Sequence, residues 1–144
     1  MTIVPRAPFN EGEMLTALCV WREARGEHYD GKRGVFCVLR NRCRMSPAEG
    51  FRPTLQENIL KPKAFSSFNS DDVNHEKYPE LTDPAWLDCL AAVRDRSDYD
   101  PTDGAVFYFS KPVTVPPEAW GNIRVSAVIG GLTFCAMAHT RVVT

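Results

Sequence analysis

No run of apolar residues in the 144-residue chain approaches the roughly 18 to 20 that a membrane-spanning helix requires. The opening Met1-Thr2-Ile3-Val4-Pro5-Arg6-Ala7-Pro8 lacks the apolar segment of an export signal, so a soluble product made in a cytoplasm is expected. Histidine is scarce, and His28, His75 and His139 show no metal-ligand spacing. The five cysteines, Cys19, Cys37, Cys43, Cys89 and Cys135, are odd in number and contain no C-x-x-C pair. They read as reduced core thiols, neither a zinc site nor a disulfide framework. No metal and no cofactor is expected. Internal repeats and low-complexity tracts are also missing, and one compact domain spanning 1–144 is the expectation.

Net charge is nearly absent at −1, but it is unevenly distributed. Residues 22–63 carry ten Lys/Arg against five Asp/Glu, and residues 69–104 carry three against ten. Such a split can draw an anionic polymer to one side, or simply form two solvated faces.

The patterning predicts helices first. Asn10 followed by Glu13 has the form of a capping box, opening a helix that runs to about Arg25 and stops at Gly26. Asp30 is expected to cap a second, buried helix through about Cys43, with Val35, Phe36, Val38 and Leu39 at three- and four-residue spacing. Thr54 to Glu57 opens a short helix that ends by Pro62. Asp83-Pro84 starts another that carries Trp86, Leu87, Leu90 and Val93. Residues 62–82 have no period and read as a long loop. Ala105 to Ser110 predicts a strand, and 124–129 with 132–137 predict a hairpin about Gly130-Gly131. The class is α+β, mostly helical with a small C-terminal antiparallel sheet.

Glu23 lies three residues after Val20 and four after Cys19, at the border of the first helix's apolar side and within its last turn. Desolvation and the negative helix end both disfavour its carboxylate, so its pKa is pushed upward. Glu27, four residues on, adds like charge if the helix persists. A carboxylic acid kept protonated near neutral pH can donate a proton to a glycosidic oxygen. Arg22 and Arg25 on its flanks oppose an extreme shift. Taken alone, a helix-terminal Glu is more often solvated or salt-bridged.

A wider pattern surrounds it. Arg22-Glu23-Ala24-Arg25-Gly26-Glu27, Tyr29-Asp30-Gly31-Lys32 and Val38-Leu39-Arg40-Asn41-Arg42 resemble the opening of the SleB-type cell-wall hydrolases, the spore-cortex-lytic enzymes and their relatives. Pro62-Lys63-Ala64-Phe65-Ser66, Asp100-Pro101-Thr102-Asp103-Gly104-Ala105 and Phe107-Tyr108-Phe109 resemble later segments in the same order, as do Pro117 to Trp120 and Ile129 to Phe134. The resemblance covers about residues 12–136. Asp103 departs from it by replacing a turn glycine, Ser110 by replacing an asparagine, and Leu132 by replacing a histidine.

The resemblance implies a lysozyme-like fold, similar to goose-type lysozymes and lytic transglycosylases, with Glu23 as general acid/base. It further implies cleavage of peptidoglycan between N-acetylmuramic acid and N-acetylglucosamine, the muramic 6-hydroxyl attacking C1 to leave a 1,6-anhydro end. An internal nucleophile fits the lack of an obvious second carboxylate, since ordinary glycosidases need a pair. If Asp71, Asp72 or Glu27 instead positions a water, the outcome is a hydrolytic muramidase.

Glu27, Phe65, Ser66, Tyr108, Ser110 and Trp120 are the candidate substrate-binding residues. Phe65 and Phe68 either stack on sugars or pin the long loop. Strand alternation sets Tyr108 opposite Phe107 and Phe109, and its hydroxyl needs a polar partner if buried. Trp120 stands as subsite wall or core anchor, and Asn41 and Arg42 as structural hydrogen-bonders or substrate contacts. Peptidoglycan glycan strands are the expected partner, acted on by a monomer after release from the host cytoplasm, as by a phage endolysin. The competing class is a nucleic-acid-binding module, resting on Arg40, Arg42 and Arg44.

Overall fold

A computed structural model of the chain describes residues 8–61, 64–68, 72, 74–111 and 113–138. Four helices precede three strands: α1 (Glu11–Ala24), α2 (Tyr29–Met45), α3 (Leu55–Leu60), α4 (Pro84–Arg94), β1 (Phe107–Ser110), β2 (Ile123–Ile129) and β3 (Leu132–Met137). This is the expected α+β order. Short 3₁₀ turns lie at Ala48–Gly50, Ser66–Phe68 and Glu118–Trp120.

The helix starts are set by side chains that satisfy otherwise unpaired N–H groups. Glu13 N donates to Asn10 Oδ1 at 2.8 Å and Asn10 N donates to Glu13 Oε1 at 3.0 Å, closing the capping box of α1. Thr54 caps α3 by accepting from Glu57 N. Asp83 caps α4 by accepting from Ala85 N, and its other oxygen accepts from Trp21 Nε1 at 3.1 Å, so one carboxylate ties α4 to α1.

Two expectations are corrected here. The residue at the start of α2 is His28, which makes no side-chain cap; Asp30 sits inside the first turn and accepts from the Tyr99 hydroxyl at 2.8 Å. The helix also runs past Cys43 to Met45, because Arg44 and Met45 favour helix and the first breaker is Pro47. On α4, Leu87 is half exposed, and the inward face is Trp86, Cys89, Ala92 and Val93.

The strands form one antiparallel sheet in the order β1-β3-β2. Ile129 pairs with Leu132 across Gly130, whose φ of +56° suits the tight turn. A bulge lies between Val125 and Ala127 of β2. The middle strand supplies the core with Leu132, Phe134, Cys135 and Ala136. Phe134 fits against α2 only because residue 34 is glycine: a Cβ there would lie 2.7 Å from the Phe134 ring.

Asp103 stands where the resembled turn has glycine, and its φ is +54°, a region that Asp tolerates better than most residues. The turn is held by Asp100, which accepts from Thr102 N and Oγ1, Gly104 N and Asn41 Nδ2. Burial works against that carboxylate, but these bonds together hold its pKa below the ordinary value. All five cysteines are unpaired thiols, four buried and Cys43 partly so.

Candidate active site

The last turn of α1 carries Glu23 to the floor of a cavity of about 530 Å³. Arg42 of α2, Phe65 beyond α3 and Tyr108 of β1 form its inner walls, with Phe51, Phe107 and Trp120 along one side. The Tyr108 hydroxyl donates to Glu23 Oε1. Alternation along β1 brings it there: Tyr108 points to the helices, and its ring meets Phe134 at 5.9 Å. Burial pushes the Tyr108 pKa well up, so the phenol remains a donor.

Burial likewise raises the pKa of Glu23, and the negative charge of Asp72 adds to the rise. Opposing it are the Tyr108 hydrogen bond, the nearby Ser67 hydroxyl and the Arg42 charge. The net direction is upward, the condition for a proton donor. Ser67 is fully buried, and its hydroxyl has no fully formed hydrogen bond among the described residues.

The two arginines expected to moderate Glu23 are turned elsewhere. Arg22 donates to the carbonyls of Lys77, Ser67 and His75 at 3.1, 3.2 and 2.8 Å, its guanidinium over the rings of Phe68 and Tyr78. Arg25 donates to Arg22 O and Asn74 Oδ1 and covers the Trp21 ring. Together they fasten the long loop beside the cavity, and Phe68 serves as an anchor for it.

The remaining candidates divide. Phe65 is buried and also edges the cavity. Trp120 lines the cavity and stacks on Phe107, with centroids 4.6 Å apart and planes 8° from parallel. Glu27 Oε1 accepts from Gly131 N at 2.8 Å, bracing the β2–β3 turn, and Glu27 is not among the cavity-lining residues. Ser110 is exposed at the end of β1, paired with Leu132, and is not among the cavity-lining residues. Ser66 belongs to a 3₁₀ turn, with its side chain outside the described residues; Asp71 and His139 lie outside them altogether.

Cavity residues not anticipated from sequence are Glu49, Phe51, Asn58 and Lys61. The basic group thought able to bind nucleic acid is dispersed. Arg42 is buried, and Arg40 donates to Ser97 O and Tyr99 O, leaving Arg44 exposed. Asn41 proves structural, donating to Asp100 Oδ2 and Ala105 O.

A half-buried carboxyl of raised pKa, hydrogen-bonded by a tyrosine in an aromatic-walled cavity, makes a candidate general acid/base site on an α+β scaffold. Comparison with known proteins gives the family. Residues 26–135 match the model described as Cell Wall Hydrolase, and the chain belongs to that family. It is 30% identical over 126 residues to the spore cortex-lytic enzyme of Bacillus subtilis (strain 168), covering 88% of this chain and 38% of that protein. The Oceanobacillus iheyensis spore cortex-lytic enzyme is 28% identical, over 92% and 44% of the two chains. The chain thus spans less than half the length of these curated relatives.

Among solved structures, the catalytic domain of the Bacillus cereus SleB protein superposes with a TM-score of 0.64 at 29% identity, covering 92% of this chain and 94% of that one. The catalytic domain of the germination-specific lytic transglycosylase SleB from Bacillus anthracis gives 0.65 at 28%, over 92% and 99%.

Proposed function

We propose that the chain degrades peptidoglycan as a lytic transglycosylase, with Glu23 as its single acid/base. The observation that carries this is Glu23 itself, half-buried, raised in pKa and hydrogen-bonded by Tyr108 through one oxygen. Its other oxygen is left to carry the proton. In the first step that proton passes to the oxygen linking muramic acid to glucosamine, and the C1–O bond breaks. The muramic 6-hydroxyl then bonds to C1 and returns its proton to the Glu23 carboxylate. The products are a free glucosamine 4-hydroxyl and a 1,6-anhydro end, with no water consumed. The position of Tyr108 suits both steps, since its donor tolerates the protonated acid and favours the carboxylate between them.

Family membership and the name of the Bacillus anthracis neighbour support this reading. Hydrolysis by water is the second reading, favoured by one observation: Glu49 lines the same cavity and supplies a second carboxylate that could hold a water. We take the protein to act as a monomer on glycan strands, after synthesis in a cytoplasm where unpaired thiols persist.

The test is digestion of purified peptidoglycan with mass analysis of the muropeptides, wild type against Glu23→Gln. Anhydro-muropeptides from wild type, and none from the variant, are expected. Products one water heavier, with a reducing muramic acid, would establish hydrolysis; equal release by the variant would remove Glu23 from the reaction.

A further inference from the structure

The aromatic side chains that line the Glu23 cavity differ in what holds them. Phe51 and Phe65 are buried, each 5.2 Å from the Arg42 guanidinium. Tyr108 is bonded to Glu23 and packed on Phe134. Phe107 meets Phe51 with centroids 5.8 Å apart and is covered by Trp120. Trp120 itself is half-exposed where it lines the cavity, whereas Trp21 and Trp86, the other two tryptophans of the chain, are core residues only 7% and 4% exposed.

The backbone fixes that indole without burying it. Trp120 closes the 3₁₀ turn Glu118–Trp120, which follows Pro116-Pro117; its N donates to Pro117 O at 3.1 Å, and Gly121 N donates to Glu118 O at 3.0 Å. The chain leaves through Gly121 at φ +75° and ψ −146°, a combination that essentially only glycine adopts. Phe107 lies flat on one face of the indole, and Phe109 meets it tilted by 41° at 6.3 Å. A ring held in one pose and left half-exposed loses little freedom when a ligand settles on it. Its place in the fold adds a direction. β1 is an edge strand, and alternation sends Tyr108 to the helices and Phe107 to the opposite face of the sheet. The cavity therefore reaches both sides of β1, with the acid on one and the Phe107–Trp120 stack on the other.

We propose that the glycan strand crosses the outer edge of β1 and lays a sugar ring on the indole of Trp120, away from the bond that Glu23 breaks. This rests on the reading of the site given above, in which the substrate is a β-linked strand of N-acetylhexosamines. Such rings carry their substituents around the rim and present C–H groups on their faces. The negative face of an indole attracts those C–H groups and excludes water from them. The contact is the same before and during bond breaking, so it strengthens binding of the strand and leaves the proton transfer to Glu23 and Tyr108.

The experiment reads binding apart from turnover. A tetrasaccharide of two N-acetylglucosamine–N-acetylmuramic acid units with their stem peptides is titrated into Glu23→Gln protein, and acrylamide quenching of tryptophan fluorescence is followed. Trp21 and Trp86 are buried, so the accessible signal belongs to Trp120 and is expected to be protected as the sugar saturates. Adding Trp120→Phe is expected to abolish the protection and keep the calorimetric affinity within about threefold, while Trp120→Ala weakens it about tenfold. With Glu23 restored, Trp120→Ala is expected to raise KM on solubilised strands about tenfold, with kcat and the pH at which activity falls unchanged, the sign of a contact made equally in both states. Sugar binding without protection, protection that persists in Trp120→Phe, an alanine variant that binds as tightly as the parent, or a fall in kcat at unchanged KM would overturn the assignment. Should Trp120→Ala fail to fold, the protection result and its loss in Trp120→Phe decide alone. Protection at Trp120 together with reducing muramic acid in the digestion experiment would retain this inference and sink transglycosylation; no binding of the tetrasaccharide would remove both.

Discussion

Replacing Tyr108 by Phe removes one hydroxyl and leaves the ring packed on Phe134. That hydroxyl donates to Glu23 Oε1, and the bond lowers a pKa that burial raises. A hydrogen bond to a charged group contributes about 1.5–3 kcal/mol, but protonated Glu23 can still accept, so the difference between the two states is at the low end. At about 1.4 kcal/mol per pKa unit, the shift is roughly one unit. Its sign is upward, because the lost donor favoured the carboxylate. The working acid is the protonated form, so kcat/KM falls as pH rises through the pKa of Glu23. Tyr108→Phe should move that fall about one pH unit higher and lower the plateau by roughly tenfold, since the carboxyl is no longer held in one orientation. The assay is the pH dependence of initial rates on solubilised glycan strands, each rate measured after confirming that the protein stays folded. A fall at unchanged or lower pH would refute the role given to Tyr108.

Glu23→Gln should stabilise the protein at pH 7 to 8 and not at pH 4, as read from urea midpoints. The folded-state pKa of Glu23 is raised above its ordinary 4.5, so its favourable contribution is full below that value and is lost as pH rises through the folded pKa. Equal gains at both pH values would contradict this. Glu27→Ala should cost about 1 kcal/mol by freeing Gly131 N while leaving the products of cleavage unchanged; altered products would return Glu27 to the site. Arg33→Lys should destabilise by about 3 kcal/mol or more, because a single ammonium cannot serve four carbonyls at the end of α4 and beyond, and denaturant titration measures it directly.

The fold was legible wherever a local signal had a local cause. The caps Asn10, Thr54 and Asp83, the proline at the start of α4 and the Gly130-Gly131 turn each act within four residues, and each marked its element correctly. Misreadings arose where tertiary contacts decided. Asp30 looks like a cap, but Tyr99, 69 residues away, claims its carboxylate. Leu87 fits an apolar repeat, but the inward face of α4 is set by Trp86 and Cys89, leaving Leu87 to solvent. Glu27 was read as part of the acid's surroundings because it is four residues away along the chain. The chain turns after Ala24, and Glu27 meets a hairpin 104 residues downstream instead.

The site divides in the same way. Glu23 and Tyr108 were readable because helix position and strand alternation state which way each side chain points. Arg42 was grouped with Arg40 and Arg44, its near neighbours in sequence, as one basic surface. Helical spacing says otherwise, for Val35, Val38, Leu39 and Arg42 follow one another at intervals of three, one and three, and all four are buried on a single face. A charged residue that continues an apolar stripe must be satisfied inside the protein or by something that enters it. Arg33 takes the first course. Arg42 continues the stripe to the Glu23 cavity, where its Nε donates to Val106 O and its charge opposes the rise of the Glu23 pKa. Reading charges by helical phase instead of by adjacency separates the buried Arg42 from the exposed Arg44 and sets it beside the acid.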